Sequence, residues 1–434
     1  MNVEINEQFE EAIKRLNKSR RSLFITGNAG TGKSTLLKHF RENTKKKTVV
    51  LAPTGVSALN VKGQTIHSFF GFPPTVTPEK VRREKASQSL IEILKHLDVI
   101  VIDEVSMVRA DLMDCIDEAL RRFLNTSEPF GGVQMVFIGD LHQLPPVVSR
   151  DDKIIFESEY RSPYFFDAKA FELAQFDVIE LQKIYRQKDG DFIRVLNKIR
   201  NNKVTAWDLD SLNARVLADP MAFHNTDHSY ITLTTTNKAA DEINKLRLER
   251  LPDWVEVYEA KYDGEFANRN HPTLAELELK KGAQIMMLNN DSEGRWVNGS
   301  IGRITKIEYD YASEEDILYV ELEGEEEEVI VEPHTWELNK YYWDSEKNEM
   351  EMDTIGSFRQ YPMRLAWAIT IHKSQGKTFD KVVVDVGRGA FAHGQIYVAL
   401  SRCSSLDGLL LQRPIQRRHI WSNHRVDHFH ANMH

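Results

Sequence analysis

The sequence predicts an α/β protein with two parallel-sheet domains and a small antiparallel insertion, and three observations carry that expectation. Over the first 180 residues, the short apolar runs SLFITG, TVVLAPTG, VIVIDEV, MVFIGD and VIEL alternate with amphipathic segments. Such alternation is the pattern of a parallel sheet with helices on its faces. The runs YITLTTTN, AWAITIHKSQG, KVVVDVG, QIYVALSR and GLLLQR repeat the style later. Between them, from Gly302 to about Gly356, GRITKIEYDY, ILYVELEG, EEEEVIVEP and EMDTIGSFRQYP alternate with period two, which reads as antiparallel strands.

Composition narrows the function classes. The chain has 434 residues, 41% of them hydrophobic and 28% charged, ordinary values for a globular protein with more than one core. The opening MNVEINEQFEEAIKRL carries acids and no apolar stretch of signal-peptide type, and no apolar run reaches membrane-span length. Two cysteines, Cys115 and Cys403, cannot build a disulfide framework, so a reducing, intracellular setting is expected. Cys115 falls in a helical pattern with Leu112, Ile116, Ala119 and Phe123, the place of a packed core thiol. The net charge of −9 argues against a nucleic-acid partner until its distribution is considered. Ten acids and no Lys or Arg lie between Glu314 and Glu332, and the rest of the chain is close to neutral.

GNAGTGKS, Gly27 to Ser34, follows the strand pattern SLFIT and precedes the helical pattern TLLKHF. That is a phosphate loop in the context such a loop requires. Its backbone N–H groups and the following helix N-terminus suit an anion, Lys33 would reach the β- and γ-phosphates of ATP, and Ser34 would complete a Mg²⁺ shell. The nucleotide-binding set is Gly27, Asn28, Ala29, Gly30, Thr31, Gly32, Lys33, Ser34 and Thr35. In VIVIDEVSM a buried strand ends in two acids; Asp103 would hold Mg²⁺ and Glu104 would polarise water, although an acid pair is also a common helix cap. In GDLHQLPPV, Gln143 is placed to sense the γ-phosphate or orient water. Transferring phosphoryl groups also calls for cations, and Arg186 in KIYRQ and Arg402 in YVALSRC are the candidates.

GNAGTGKS, LAPTGVSALNVKGQTIHS, VIDEVSM, GDLHQLPPV, IYRQ, WVNGSIGRI, AWAITIHKSQGKTFD and GQIYVALSRCSSLDGL, in this order, resemble the Pif-one-type helicases of the RecD-like branch of superfamily one. The likeness runs from Asn6 to about Leu410 and is close for compact bacterial members. The resemblance implies two RecA-like parallel-sheet domains with a small wedge subdomain and an inserted SH3-like β subdomain. The implied boundaries are 1–66 with 98–183 for the first domain, 67–97 for the wedge, 184–301 with 357–413 for the second domain, and 302–356 for the insertion. It implies ATP between the two domains with Gln8 reading adenine, Gln375 and Gly376 toward the nucleotide, and Arg186 and Arg402 as fingers whose approach gates hydrolysis. Thr54, Gly55, Thr65, His67, Asn237, Thr370, His372 and Ser374 fall where the family touches the DNA backbone.

The activity implied is ATP-dependent 5′→3′ unwinding with translocation on single-stranded DNA, by a protein expected to be a monomer in its free form. Forked or tailed duplexes, G-quadruplexes and RNA–DNA hybrids are implied substrates, in replication, repair or telomere-type maintenance, at a bacterial nucleoid in the cytoplasm. The competing expectations are an ATP-gated clamp that binds single-stranded DNA without unwinding, and an RNA helicase on the same core. A phosphate-loop kinase would leave the second α/β half without a task. The stretch 414–434, with His419, His424, His428, His430 and His434 but no cysteine partners, is expected to be a flexible or artificially appended tail rather than a metal site.

Overall fold

In the computed structural model the described residues are 6–148, 152, 156, 158–219, 223, 230–268, 271–387, 389 and 392–433. The first five residues and His434 of the expected tail lie outside them. The chain divides into two compact units, 1–185 with 338–355 and 423–434, and 186–337 with 356–422.

The first unit is built on six strands: β1 (Ser22–Gly27), β2 (Thr48–Ala52), β3 (Gln64–Thr65), β4 (Val99–Ile102), β5 (Gln134–Ile138) and β6 (Phe176–Leu181). They form an all-parallel sheet in the order β3-β2-β4-β5-β1-β6. Their near-continuous apolar sequences follow from burial on both faces. Phe24, Leu51, Ile100, Ile102, Met135 and Phe137 face one core, while Leu23, Ile25, Val50, Val101, Val136 and Ile138 face another. The Pro-rich loop after Phe72 leads into helices Pro78–Arg83 and Gln88–His96, the first capped by Thr77 with Pro78 in its first turn. Helix Ala110–Phe123 buries Leu112, Ile116, Ala119 and Cys115 in the same core, as its periodicity predicts.

The second unit holds a shorter parallel sheet and an antiparallel one. After β7 (Ile231–Thr234) come β8 (Glu256–Glu259), β9 (Lys261–Tyr262), β10 (Glu276–Leu279), β11 (Gln284–Met287), β12 (Ile301–Asp310), β13 (Glu315–Leu322) and β14 (Glu328–Val331). A long hairpin follows, β15 (His334–Asp344) and β16 (Glu349–Gln360), then β17 (Met363–Leu365), β18 (Ala368–Thr370), β19 (Val382–Asp385) and β20 (Leu409–Leu411). The parallel sheet runs β18-β7-β19-β20, and the antiparallel sheet runs β14-β13-β12-β11-β17 around Ile285, Ile304, Leu318, Val320 and Trp367. The two parallel sheets and the antiparallel insertion are the architecture the sequence predicts. The acidic run Glu325–Glu328 occupies the exposed turn into β14.

Two segments depart from expectation. The middle of the hairpin, 338–355, belongs to the first unit rather than to the insertion. There Tyr341 is buried; its hydroxyl accepts from the Val50 N–H at 3.2 Å and its own N–H donates to Gln64 Oε1 at 3.2 Å. Trp343 stacks on His96 with ring centroids 4.0 Å apart, under the Lys47 ammonium. The expected loose tail is also a correction: it contains a short 3₁₀ turn, Arg417–His419, and a helix, His424–Ala431, that belongs to the first unit. Val426 and Phe429, three residues apart, give that helix one apolar stripe that is packed into the core beside Phe166 and Phe171. No helix among the described residues is long and apolar enough to cross a membrane.

Candidate functional site

In the first unit, functional side chains leave the carboxyl ends of adjacent strands, where open parallel sheets bind ligands. β1, β4 and β5 are neighbours, so the phosphate loop, the Asp103–Glu104 pair and the Gln143 turn emerge side by side. Gly27 has φ +149°, and a Cβ there would run into the Leu181 carbonyl oxygen and the Thr31 hydroxyl. Gly30 and Gly32 also have positive φ, so the loop curls with its amides inward, and Gly32 caps helix Lys33–Asn43. Lys33 Nζ donates to the carbonyls of Gly27 at 2.8 Å and Asn28 at 2.9 Å, which keeps its charge over the loop. Ser34 and Thr35 lie in the first turn of that helix.

Asp103 is buried, and burial together with the neighbouring Glu104 carboxylate pushes its pKa up to about 7, against the pull of Lys33. A divalent cation beside the carboxylate would relieve that cost, so Asp103 suits an oxygen-ligated cation such as Mg²⁺. Glu104 adopts the left-handed conformation (φ +50°), which is uncommon for a side chain of its size and turns the chain sharply after β4. Gly139 at the end of β5 lets the Val105–Ser106 backbone approach closely.

Asp140 organises the next turn. One of its carboxylate oxygens accepts from the His142 N–H at 3.1 Å and the other from Gln143 Nε2 at 3.2 Å; its carbonyl accepts from the Gln143 N–H at 3.0 Å. Gln143 is thereby buried and oriented, and an Asp two and three residues ahead of the bonded groups was the local signal available. Sequence reasoning missed the role of Asp140, and it missed Tyr185. Its N–H donates to the Gly30 carbonyl at 2.8 Å, its hydroxyl accepts from Asn6 at 3.2 Å, and its ring lies beside Gly32. Gln8, two residues after Asn6, accepts from the Gln182 N–H at 2.9 Å on the same side.

Thr54 and Gly55 follow the end of β2, and Thr65 ends the paired strand β3 with His67 just beyond it. Thr54 and Thr65 are helix N-caps, accepting from the Ser57 and Ser68 N–H groups, and Gly55 has open space where a side chain would stand. His67 is half-buried, and burial lowers its pKa below the ordinary histidine value.

In the second unit Thr370 pairs with Thr234, so His372 and Asn237 follow two neighbouring strand ends. Asn237 is exposed at the start of helix Asn237–Glu249, and half-buried His372 also has its pKa lowered by burial. Thr370 and Ser374 are buried instead. Thr370 Oγ1 accepts from the Lys373 N–H at 3.3 Å, and Ser374 Oγ donates to the Ile371 carbonyl at 2.7 Å, so both hydroxyls close the turn rather than point outward. Gly376 takes φ +77°, and Gln375 Nε2 is buried with no hydrogen-bond partner among the described residues.

Both candidate arginines converge on this turn. Arg402 is 1% exposed; its guanidinium donates to the carbonyls of Val398, Ser374 and Lys377 and to Ser401 Oγ, at 2.9–3.4 Å. Arg186 donates to the carbonyls of Gly376 at 3.3 Å and Ser401 at 3.4 Å, and Gln187 to those of Ser401 and Cys403. No group of three or more His, Cys, Asp or Glu among the described residues is arranged to hold a metal.

Comparison with known proteins gives consistent relatives. A sequence profile described as PIF1-like helicase matches residues 1–209. The ATP-dependent DNA helicase Pif1 of Bdellovibrio bacteriovorus is 31% identical, over 94% of this chain and 88% of its own length. The ATP-dependent DNA helicase PIF1 of Emericella nidulans is 30% identical, over 98% of this chain; the chain spans only 62% of that longer protein. Among solved structures, Bacteroides Pif1 is 36% identical and covers 99% of this chain and 97% of its own. Its complex with ADP-AlF4 superposes with a TM-score of 0.89 and its single-stranded DNA complex with 0.71.

Proposed function

The chain belongs to the PIF1-like helicase family, and on that premise we propose that it is an ATP-dependent DNA helicase that moves 5′→3′ on single-stranded DNA. One observation carries the reading: neighbouring strand ends bring together an anion-binding loop with its lysine, an acid pair whose Asp103 is buried, and an oriented glutamine. That is the equipment of phosphoryl transfer to water.

In this reading the loop amides and Lys33 hold the phosphates, while Ser34 and Asp103 hold Mg²⁺, which supplies charge neutralisation at the phosphates when bound. Glu104 orients the attacking water, Gln143 faces the γ-phosphate, and Arg186 and Arg402 stabilise the transferring charge. Gln8 and Tyr185 flank the base. DNA backbone is gripped by Thr54, Gly55, Thr65, His67, Asn237 and His372, hydrogen-bonding groups suited to sequence-independent contact. Thr370 and Ser374 shape the turn that presents His372, and Gln375 and Gly376 face the nucleotide. The helices of 67–97 act as the wedge and the antiparallel sheet as an SH3-like insertion. Bacteroides Pif1 has been seen bound to single-stranded DNA, and two coordinating Pif1 helicases at forked duplex DNA, which supports those substrates here. G-quadruplexes and RNA–DNA hybrids extend the same reading, as does a monomeric free form.

ATPase assays with DNA and RNA oligomers test the proposal. Single-stranded DNA is expected to stimulate hydrolysis in the wild type and not in Glu104→Gln, which should still bind ATP. Stoichiometric DNA binding without stimulated turnover would instead indicate a clamp, and stimulation by RNA alone an RNA remodeller.

A further inference from the structure

The helix His424–Ala431 is anchored in the first unit at three points. Arg425 forks onto the Asp167 carboxylate, with Nε to Oδ2 at 3.0 Å; Val426 is fully buried; and Phe429 stacks on Phe166 with centroids 4.3 Å apart and planes 8° from parallel. The three contacts together hold the helix against the first unit. The residue after Phe429 is His430. Its ring meets the His142 ring edge to face, centroids 5.6 Å apart, and its Nε2 lies 3.5 Å from Glu180 Oε1.

Both neighbours belong to the nucleotide edge. His142 is buried in the Asp140 turn that orients Gln143. Glu180, on β6, pairs with Thr26 of β1, the residue before the phosphate loop. An anchored helix therefore places one ring against the back of the Gln143 turn and beside the strand that flanks the loop.

We propose that His430 is a positioning residue for ATP hydrolysis, with helix His424–Ala431 as a backstop that fixes the Gln143 turn. Groups that act on a transition state must be held within about 0.5 Å, and a misplacement of about 1 Å costs on the order of 10²-fold. A ring touching His142 resists displacement of the turn without touching nucleotide. The inference rests on the reading of Gln143 as the group facing the γ-phosphate.

The test measures DNA-stimulated ATPase of the full chain, with a poly-dT oligomer at saturation, alongside thermal unfolding. His430→Ala is expected to lower kcat by about tenfold while KM for ATP stays within about twofold. His430→Phe, which restores a ring against His142, is expected to recover most of the rate. Unchanged kcat in His430→Ala overturns the proposal, as does an equal loss in His430→Phe or a rise in KM alone. If the Ala variant does not fold, the Phe variant decides: near-wild-type kcat supports positioning by the ring, and a tenfold loss overturns it. Gln143→Ala tests the underlying reading separately. Normal hydrolysis there removes that reading, whereas a defect there with normal hydrolysis in His430→Ala removes only the role of His430.

Discussion

Tyr185 and Arg186 are neighbours in sequence and belong to different units. The Tyr185 N–H is bonded to the phosphate loop, while the Arg186 guanidinium is bonded to carbonyls of the 376 turn and of Ser401. The same contrast separates the two strand-end edges as wholes. At the first, charge is gathered by backbone shape: positive-φ glycines aim amides inward and leave Lys33 above them. At the second, two arginines are caged by main-chain carbonyls, so their position depends on how one turn, 370–377, is folded. Binding is therefore a local property of the first edge, whereas the second edge couples its cations to the segment that carries His372.

The largest effect expected from breaking this contrast is at the first edge. Lys33→Ala should lower ATP hydrolysis by at least about 10²–10³-fold and abolish unwinding, with DNA binding largely retained. Wild-type-like turnover would remove the phosphate-loop assignment. Next comes the cage. Arg402→Ala should reduce kcat by about 10³-fold with ATP still bound, and Arg402→Lys should not rescue it, because an ammonium cannot serve four acceptors in a planar fork. A change in KM alone would show that the arginine serves binding, not turnover.

A smaller effect sharpens the stability side. Tyr341→Phe removes the acceptor for the buried Val50 N–H and should cost about 1–3 kcal/mol in chemical denaturation, with kcat little changed. A neutral result would place water or a rearranged strand at Val50. Least of all, native protein should show no rapid thiol modification. Burial pushes the Cys403 thiol up to about 11 and the Cys115 thiol higher still, and only the thiolate reacts quickly. Prompt labelling by a small disulfide reagent would contradict that packing.

What was legible in the sequence is what depends on short spacing. The phosphate loop, the acid pair after VIVI and the two parallel sheets are set by neighbours within a few residues of one another, and period-two alternation revealed the insertion. What was not legible depends on distant partners. Nothing near Ser374 distinguishes a hydroxyl facing DNA from one that caps the Ile371 carbonyl. The histidine-rich composition of 414–434 hid a helix whose two apolar residues, Val426 and Phe429, become meaningful only against the aromatic cluster at 165–176. Tyr341 likewise sits in a strand pattern that gives no hint of its bond to Val50.

The most direct test is strand separation on duplexes carrying a single-stranded tail at either the 5′ or the 3′ end, with ATP and Mg²⁺. ATP-dependent unwinding from the 5′-tailed duplex, absent in Lys33→Ala, is the predicted result. Unwinding from the 3′ tail alone, or separation that proceeds without hydrolysis, would contradict a 5′→3′ motor driven from the first unit's phosphate loop.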